Sequence, residues 1–314
     1  MRTPVFLAGS IPQNAQVILQ QFDDDRGDYL SRLDSMGVYV NRAEESLPQT
    51  VMYDVVLAHF KRERADGKTP KCLVVAYDGA RAETLIHSKG LKDSGIQALL
   101  DGGGKAYQVY TGGEPSYEQG TSTAPGFTTM LTGRWAGGEG GHGVTSNGIN
   151  KAQEPKLIFT DIIEQAGAAK TTFVVSWGGH FTNDNASYVN DVKYNREKGN
   201  NTVWEMTGSD SETLAKTLEA VAGDSDMVMC SLEHCDSAGH GTGFGNRNKA
   251  YVKAFAASES DALALIDALK ARPSYAAEDW LILIVSDHGG YGTGHGPQLD
   301  VCRQVFIVAD RELF

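Results

Sequence analysis

The sequence predicts an α/β protein with a mainly parallel central sheet and helices on both faces. Three observations carry that expectation. Strand-length apolar runs alternate with amphipathic helical segments along residues 71–314. The runs KCLVVAY, DMVMCSLE and WLILIVS are nearly continuous in apolar residues, as strands covered on both faces must be. Ionisable residues follow closely on all three: Asp78, then Asp236, then the pair Asp287 and His288. Ligands of open α/β sheets gather beyond the carboxyl ends of the strands, so this placement brings distant segments to one rim.

Taken in order, residues 1–70 form an N-terminal segment expected to pack on the main domain, with an acidic patch at Asp23, Asp24 and Asp25. Within it, YDVVLAHFKRERA has helical spacing, and Gly67 and Pro70 punctuate the chain before the strand KCLVVAY. IHSKGLKDSGIQALLDGGG reads as helix and loop, and KAYQVYT as a strand. The Gly, Ser and Thr-rich stretch from Gly112 to Gly148 reads as loop, with TTMLTG a helical turn inside it. KLIFTDIIEQAG is a helix ending at Gly167, and TTFVVSW a strand. The polar, Asn-rich span 178–205 is expected to be a small lid or cap. SETLAKTLEAVAG reads as an amphipathic helix, the segment from Asn248 to Arg272 as a long one, and VFIVAD as the last strand. A catalytic domain over 71–314 is therefore expected.

Composition narrows the function. The 314 residues carry 28 basic and 40 acidic side chains, a net charge of −12. A strongly acidic chain lacks the basic field that polymeric nucleic acid requires, although bound metal ions reverse the potential locally. The four cysteines, Cys72, Cys230, Cys235 and Cys302, form no CxxC pair and read as free, buried thiols. The N-terminal twenty residues make a poor signal peptide, and no run reaches membrane-spanning length, so a cytoplasmic location is expected.

Four segments concentrate metal-binding residue types: Asp78; Thr123; Asp236 with His240; and Asp287, His288 and His295. Taken singly, each has a bland reading. An Asp after a strand is commonly a turn or cap residue, and His295 in GGYGTGHG reads as a loop histidine. Asp287 and His288 are stronger, since two adjacent ionisable groups after an apolar strand are costly to bury unpaired. Three carboxylates, three imidazoles and a hydroxyl together are what two divalent cations and an activated nucleophile need.

These motifs resemble the alkaline phosphatase superfamily, and more closely its type I phosphodiesterase/nucleotide pyrophosphatase branch, over roughly residues 72–310. YDGAR is similar to the early metal-aspartate motif. STAPGFTTMLTG followed by GGHGVTSNG is similar to the nucleophile segment, HCDSAGHGTG to DxxGH, and SDHGG to SDHG. The long helix carrying Asp261 also resembles the family. The resemblance implies an alkaline phosphatase-like fold and a covalent phospho-threonine on Thr123. It implies one metal held by Asp236, His240 and His295. The other would be held by Asp78, Asp287 and His288, with Thr123 as a further ligand. Mixed imidazole and carboxylate ligands suit zinc first, with manganese or iron as alternatives.

The departures are informative. Sulfatases of the superfamily place an Arg four residues after the nucleophile, where this chain has Phe127. Nucleotide pyrophosphatases usually place an Asn three residues after it, where this chain has Gly126, leaving the Gly126 backbone N–H or Asn147 as substitutes. Gly126, Phe127 and Asn147 are accordingly candidate substrate contacts. Trp135 and Trp177 are candidate stacking surfaces, and Arg81, Arg134 and Arg247 possible phosphate clamps. His142 reads as loop-stabilising, and His180 and His234 as structural. The expected activity is metal-dependent hydrolysis of phosphate diesters or nucleotide pyrophosphate bonds on a small phosphorylated substrate. A phosphomonoesterase, a phosphomutase-type isomerase and a non-catalytic metal-binding protein are the alternatives.

Overall fold

Among the described residues, nine strands join one twisted sheet in the order Val38–Tyr39, Lys105–Tyr110, Gln304–Ala309, Glu278–Val285, Thr69–Tyr77, Met227–Leu232, Thr171–Val175, Thr202–Met206, with Leu47–Pro48 pairing Lys105–Tyr110 beside that path. The computed structural model describes residues 38–39, 47–114, 116–148, 156–182 and 184–314. The patch Asp23, Asp24 and Asp25 lies outside them. The strands are β1 (Val38–Tyr39), β2 (Leu47–Pro48), β3 (Thr69–Tyr77), β4 (Lys105–Tyr110), β7 (Thr171–Val175), β8 (Thr202–Met206), β9 (Met227–Leu232), β10 (Glu278–Val285) and β11 (Gln304–Ala309). A short hairpin, β5 (Gly113–Glu114) with β6 (Tyr117–Glu118), stands apart. All pairings in the large sheet are parallel except those of β11, which runs antiparallel to β10 and β4. The mainly parallel α/β architecture is thus as expected.

The helices are α1 (Val51–Lys61), α2 (Gly95–Asp101), α3 (Thr123–Thr132), α4 (Ile158–Ala166), α5 (Val189–Lys198), α6 (Asp210–Ala222), α7 (His234–Thr242), α8 (Lys249–Lys270) and α9 (Asp300–Arg303). Strand alternation divides the core into two layers. Leu73, Val75 and Tyr77 of β3 face α8 with Trp280, Ile282 and Ile284 of β10. Cys72, Val74 and Ala76 face the opposite layer with Leu281, Leu283 and Val285, beneath α1, α3 and α4. With both faces covered, every residue of β3 from Lys71 to Tyr77 is buried, which explains its uninterrupted apolar run. All four cysteines are buried and free.

Two expectations change. Residues 178–205 are not a separate cap: α5 crosses over and β8 pairs β7 from Thr171↔Thr202 to Val175↔Met206, forming the sheet's edge. The Asn-rich polarity of that span reflects a half-exposed edge strand and a helix with only Val189 and Asn195 buried. The expected helical turn near TTMLTG is a full helix, α3, and all ten of its residues are buried. Its threonines tolerate the interior because Thr128 Oγ1 donates to Ala124 O and Thr132 Oγ1 to Thr128 O. The described part of the N-terminal segment belongs to the main body, with β2 on β4 and Met52, Val56 and Phe60 of α1 in the core.

One buried acid carries a stability prediction. Glu259 of α8 is fully enclosed and accepts hydrogen bonds from Tyr77 OH (3.0 Å), Ser94 Oγ and Ile96 N (3.4 Å). Burial raises its pKa from 4.5 to about 7. A raised folded-state value means that the native state holds the proton more tightly than the unfolded chain. The resulting stabilisation is complete below about pH 4.5 and is lost as pH rises through about 7. Glu259→Gln keeps the shape without the titration. It should therefore gain on wild type between pH 5 and 8 by on the order of 3 kcal/mol, read from urea unfolding. A pH-independent difference would show that Glu259 is not the titrating group.

Candidate metal centre and active site

The adjacent order β10-β3-β9 assembles the site. Each strand ends at the same rim and delivers its polar residues there: Asp78 after β3, Asp236 and His240 on α7 after β9, and Asp287 and His288 after β10. Neighbouring strands lie roughly 4.8 Å apart, so residues just past their ends converge without any long-range search. The glycine-rich loop after β10 brings His295 back over the same point, its ring 4.3 Å from His288 and 4.8 Å from His240.

His288 Nε2 is a hub. It lies 3.2 Å from Asp78 Oδ1, 3.3 Å from Thr123 Oγ1 and 3.4 Å from Asp287 Oδ2. Asp236 reaches outward, with Oδ2 3.4 Å from His240 Nε2 and Oδ1 3.7 Å from His295 Nε2. Among the described residues, two sets of side chains present ligand atoms within 4.8 Å of one another: Asp236, His240 and His295, and Asp78, Asp236 and His288. Asp236 is common to both. Asp287 stands outside the second set but beside it, with Oδ1 accepting from Gly79 N at 3.2 Å. Gly79 has φ +71 and approaches so closely that a Cβ would sit 2.9 Å from Asp236 Cα, which accounts for the DG of YDGAR.

The donors fit a divalent cation. Tetrahedral ligands at about 2.0–2.1 Å stand roughly 3.3 Å apart, close to the spacings above. Asp78 Oδ1 and Oδ2, Asp236 Oδ1 and Asp287 Oδ2 are buried without a hydrogen-bond partner among the described residues. Such orphaned acceptors are costly unless something electropositive meets them. Two ring tautomers are set from behind. His288 Nδ1–H donates to Gly289 O (2.8 Å) and His240 Nδ1–H to Thr293 O (2.9 Å), directing each Nε2 into the site.

Electrostatics agree. Burial, then repulsion from Asp287, holds the Asp78 carboxyl well above the usual carboxylate range, and burial likewise raises Asp287. Burial alone lowers the His288 pKa, but the Asp287 and Asp78 carboxylates outweigh it and raise it. Burial and the neighbouring His288 and His240 lower His295 to about 3, leaving it neutral with a lone pair to offer. The ion-pair partners of Asp78, Asp236 and Asp287 among the described residues are His240, His288 and His295, never Lys or Arg. A cluster of buried carboxylates without fixed cations is an arrangement that favours metal ions.

Thr123 opens α3 at the rim, after extended Ser122 (φ −151) and with Pro125 in the first turn. Asn147 Oδ1 accepts from Ala124 N at 2.8 Å, pinning the exposed Asn147 to the residue after Thr123. Two candidate substrate contacts need correction. The Gly126 N–H donates to Ser122 O at 3.0 Å inside the helix, so it is not free for a phosphate oxygen. A Cβ on Gly126 would lie 2.6 Å from Asp287 O, so no side chain fits at this position. Phe127 is fully buried against Phe173 and His180 and cannot meet a substrate. Trp177, half-buried on the same rim after β7, packs against Ala124 and Val144 instead.

His142 is structural, with Nε2–H donating to Thr129 Oγ1 and Nδ1 accepting from Val144 N. His234 has both ring nitrogens taken, by Asp210 (3.0 Å) and Asp261 (2.9 Å). Trp135 stacks on Tyr110, and Arg81 is spent on Gly290 O and Glu83. Sequence reasoning missed Glu233, whose carboxyl burial, then Asp78 and Asp236, drive well above its usual range. Its place directly after the apolar run of β9 was the available signal. Gln49 was missed as well, and no local pattern marks it.

Residues 72–300 match the family described as type I phosphodiesterase / nucleotide pyrophosphatase. No curated protein sequence matches the chain. Among solved structures, murine ectonucleotide pyrophosphatase / phosphodiesterase 5 is similar at 18% identity and TM-score 0.49, over 70% of this chain and 57% of that one. An alkaline phosphatase from the Antarctic bacterium TAB5 is similar at 13% identity and TM-score 0.48, over 77% and 91%. A 2-O GAG sulfatase is similar at 12% identity and TM-score 0.51, over 78% and 65%. The chain thus spans under three fifths of the murine protein.

Proposed function

Because this chain belongs to the type I phosphodiesterase / nucleotide pyrophosphatase family, we propose that it is a metal-dependent hydrolase of phosphate diesters or nucleotide pyrophosphate bonds. Thr123 is its covalent nucleophile, and two divalent ions, zinc first, are its cofactors. The observation that carries the reading is the 3.3 Å approach of Thr123 Oγ1 to His288 Nε2, beside the orphaned carboxylate oxygens of Asp78 and Asp287. When bound, the ions supply charge compensation at the attacking and leaving oxygens and lower the cost of ionising the hydroxyl.

The chain's own residues do the rest. Asp236, His240 and His295 would hold one ion, and Asp78, Asp287 and His288 the other, with Asp236 within reach of both sets. Thr123 Oγ attacks phosphorus as the P–O bond to the leaving alcohol or nucleotide breaks, and the hydroxyl proton passes by way of solvent to the leaving oxygen. Water then cleaves the Thr123 phosphoryl ester, which still carries the second substituent, releasing a phosphate monoester and restoring the hydroxyl. The α3 dipole adds favourable potential for phosphoryl oxygens at Thr123. Trp177 and Asn147 flank the nucleophile where the second substituent of a diester would lie. A phosphomutase-type reading, which calls for a sizeable inserted cap, loses ground because β8 pairs β7 in the main sheet and α5 is the crossover between them.

The test is hydrolysis of bis-p-nitrophenyl phosphate against p-nitrophenyl phosphate, with added zinc or manganese and a chelator control. Chelator-sensitive preference for the diester is expected. Preference for the monoester would move the assignment to phosphatase.

A further inference from the structure

We propose that Gln49 is a positioning residue for this metal centre, holding the loop at Ser286, Asp287 and His288 from a segment that precedes the family match. The inference rests on the metal-hydrolase reading above. Gln49 follows β2 and is anchored to the sheet, its own N–H donating to Tyr110 O at 2.9 Å. Its side chain is fully buried. Nε2 donates to Ser286 O at 3.1 Å and to Asp287 O at 2.8 Å, across more than 230 residues of sequence.

Those two carbonyls belong to the residue before the first ligand and to the ligand itself. Asp287 O also faces Gly126, the glycine whose missing side chain lets α3 close on the loop. The peptide between Asp287 and His288 is therefore held by the Gln49 amide and by the helix that carries Thr123. Rotating that peptide would swing the Asp287 carboxylate and His288 Nε2 apart, and with them the Thr123 Oγ1 contact.

Packing alone does not explain this residue. The Gln49 Oε1 is buried with no hydrogen-bond partner among the described residues, a cost that an apolar side chain of similar size would avoid. A primary amide, by contrast, supplies two N–H groups from one nitrogen, matching two successive carbonyls. Partners that orient metal ligands from behind typically change metal affinity by about 10–100-fold when removed.

The experiment compares wild type with Gln49→Met, which keeps length and volume without a donor. Zinc affinity is measured by competition with a chromophoric chelator, and backbone amide exchange at residues 286–289 is followed in metal-free protein. The variant should lose about 10–100-fold in affinity for one zinc ion and keep the other. It should exchange faster at 286–289 than wild type while β9 is unchanged, and kcat on a diester should fall with KM little altered. Wild-type zinc affinity and wild-type protection at 286–289 in Gln49→Met would overturn the proposal. If Gln49→Met does not fold, Gln49→Asn, one methylene too short to span the gap, is read by the same two measurements. If the wild-type chain binds no divalent ion, the functional reading fails, and exchange at 286–289 alone decides whether Gln49 holds the loop.

Discussion

Thr123→Ala should lower kcat on a phosphate diester by at least about a thousandfold while leaving metal content near wild type. The Thr123 hydroxyl stands 3.3 Å from His288 Nε2, where it can form a covalent phosphate ester, and carboxylate and imidazole ligands for both ions remain when it is removed. Alanine also suits the first turn of α3, and Asn147 still bonds Ala124 N, so folding should survive. Thr123→Ser, which keeps the oxygen, should recover much of the loss. Acid quenching during turnover should trap phosphate on the wild-type chain and not on the alanine variant. Undiminished turnover by metal-replete Thr123→Ala would rule out the covalent mechanism.

The second large effect is expected at Asp236. Its carboxylate belongs to both ligand sets, with Oδ2 facing His240, Oδ1 facing His295, and the group also close to Asp78 and His288. Asp236→Ala should therefore drop bound metal from two ions per chain to below one and abolish turnover. His240 is nearly half exposed and belongs to one set only, so His240→Ala should lose a single ion. Elemental analysis after dialysis distinguishes the two variants, and equal losses would refute the shared position of Asp236. Acid should weaken binding in both proteins, because the raised pKa of His288 lets a proton compete for Nε2 as pH falls.

Much of this was legible in the residues. Buried parallel strands write themselves as apolar runs, so β3, β9 and β10 were readable, and the ligands stand just past their ends. The polar stretch 178–205 misled because an edge strand buries little and lacks that signature. Helix α3 was underestimated because its Thr and Gly content mimics a loop. Its hydroxyls bond back to carbonyls one turn earlier, which composition does not reveal. Gly126 and Phe127 were candidate substrate contacts by position alone, whereas one lets α3 close on Asp287 O and the other fills the core.

Local chemistry, then, dictated the strand-and-helix alternation, the acidic and imidazole donors, the hydroxyl at Thr123 and the glycine beside Asp78. These follow from side-chain type and short-range spacing, which each segment carries on its own. Strand order, the sharing of Asp236, the raised pKa of Glu233 and the reach of Gln49 to Asp287 came only with the folded chain. They depend on which segments become neighbours across hundreds of residues, and packing and desolvation settle that only when the sheet closes.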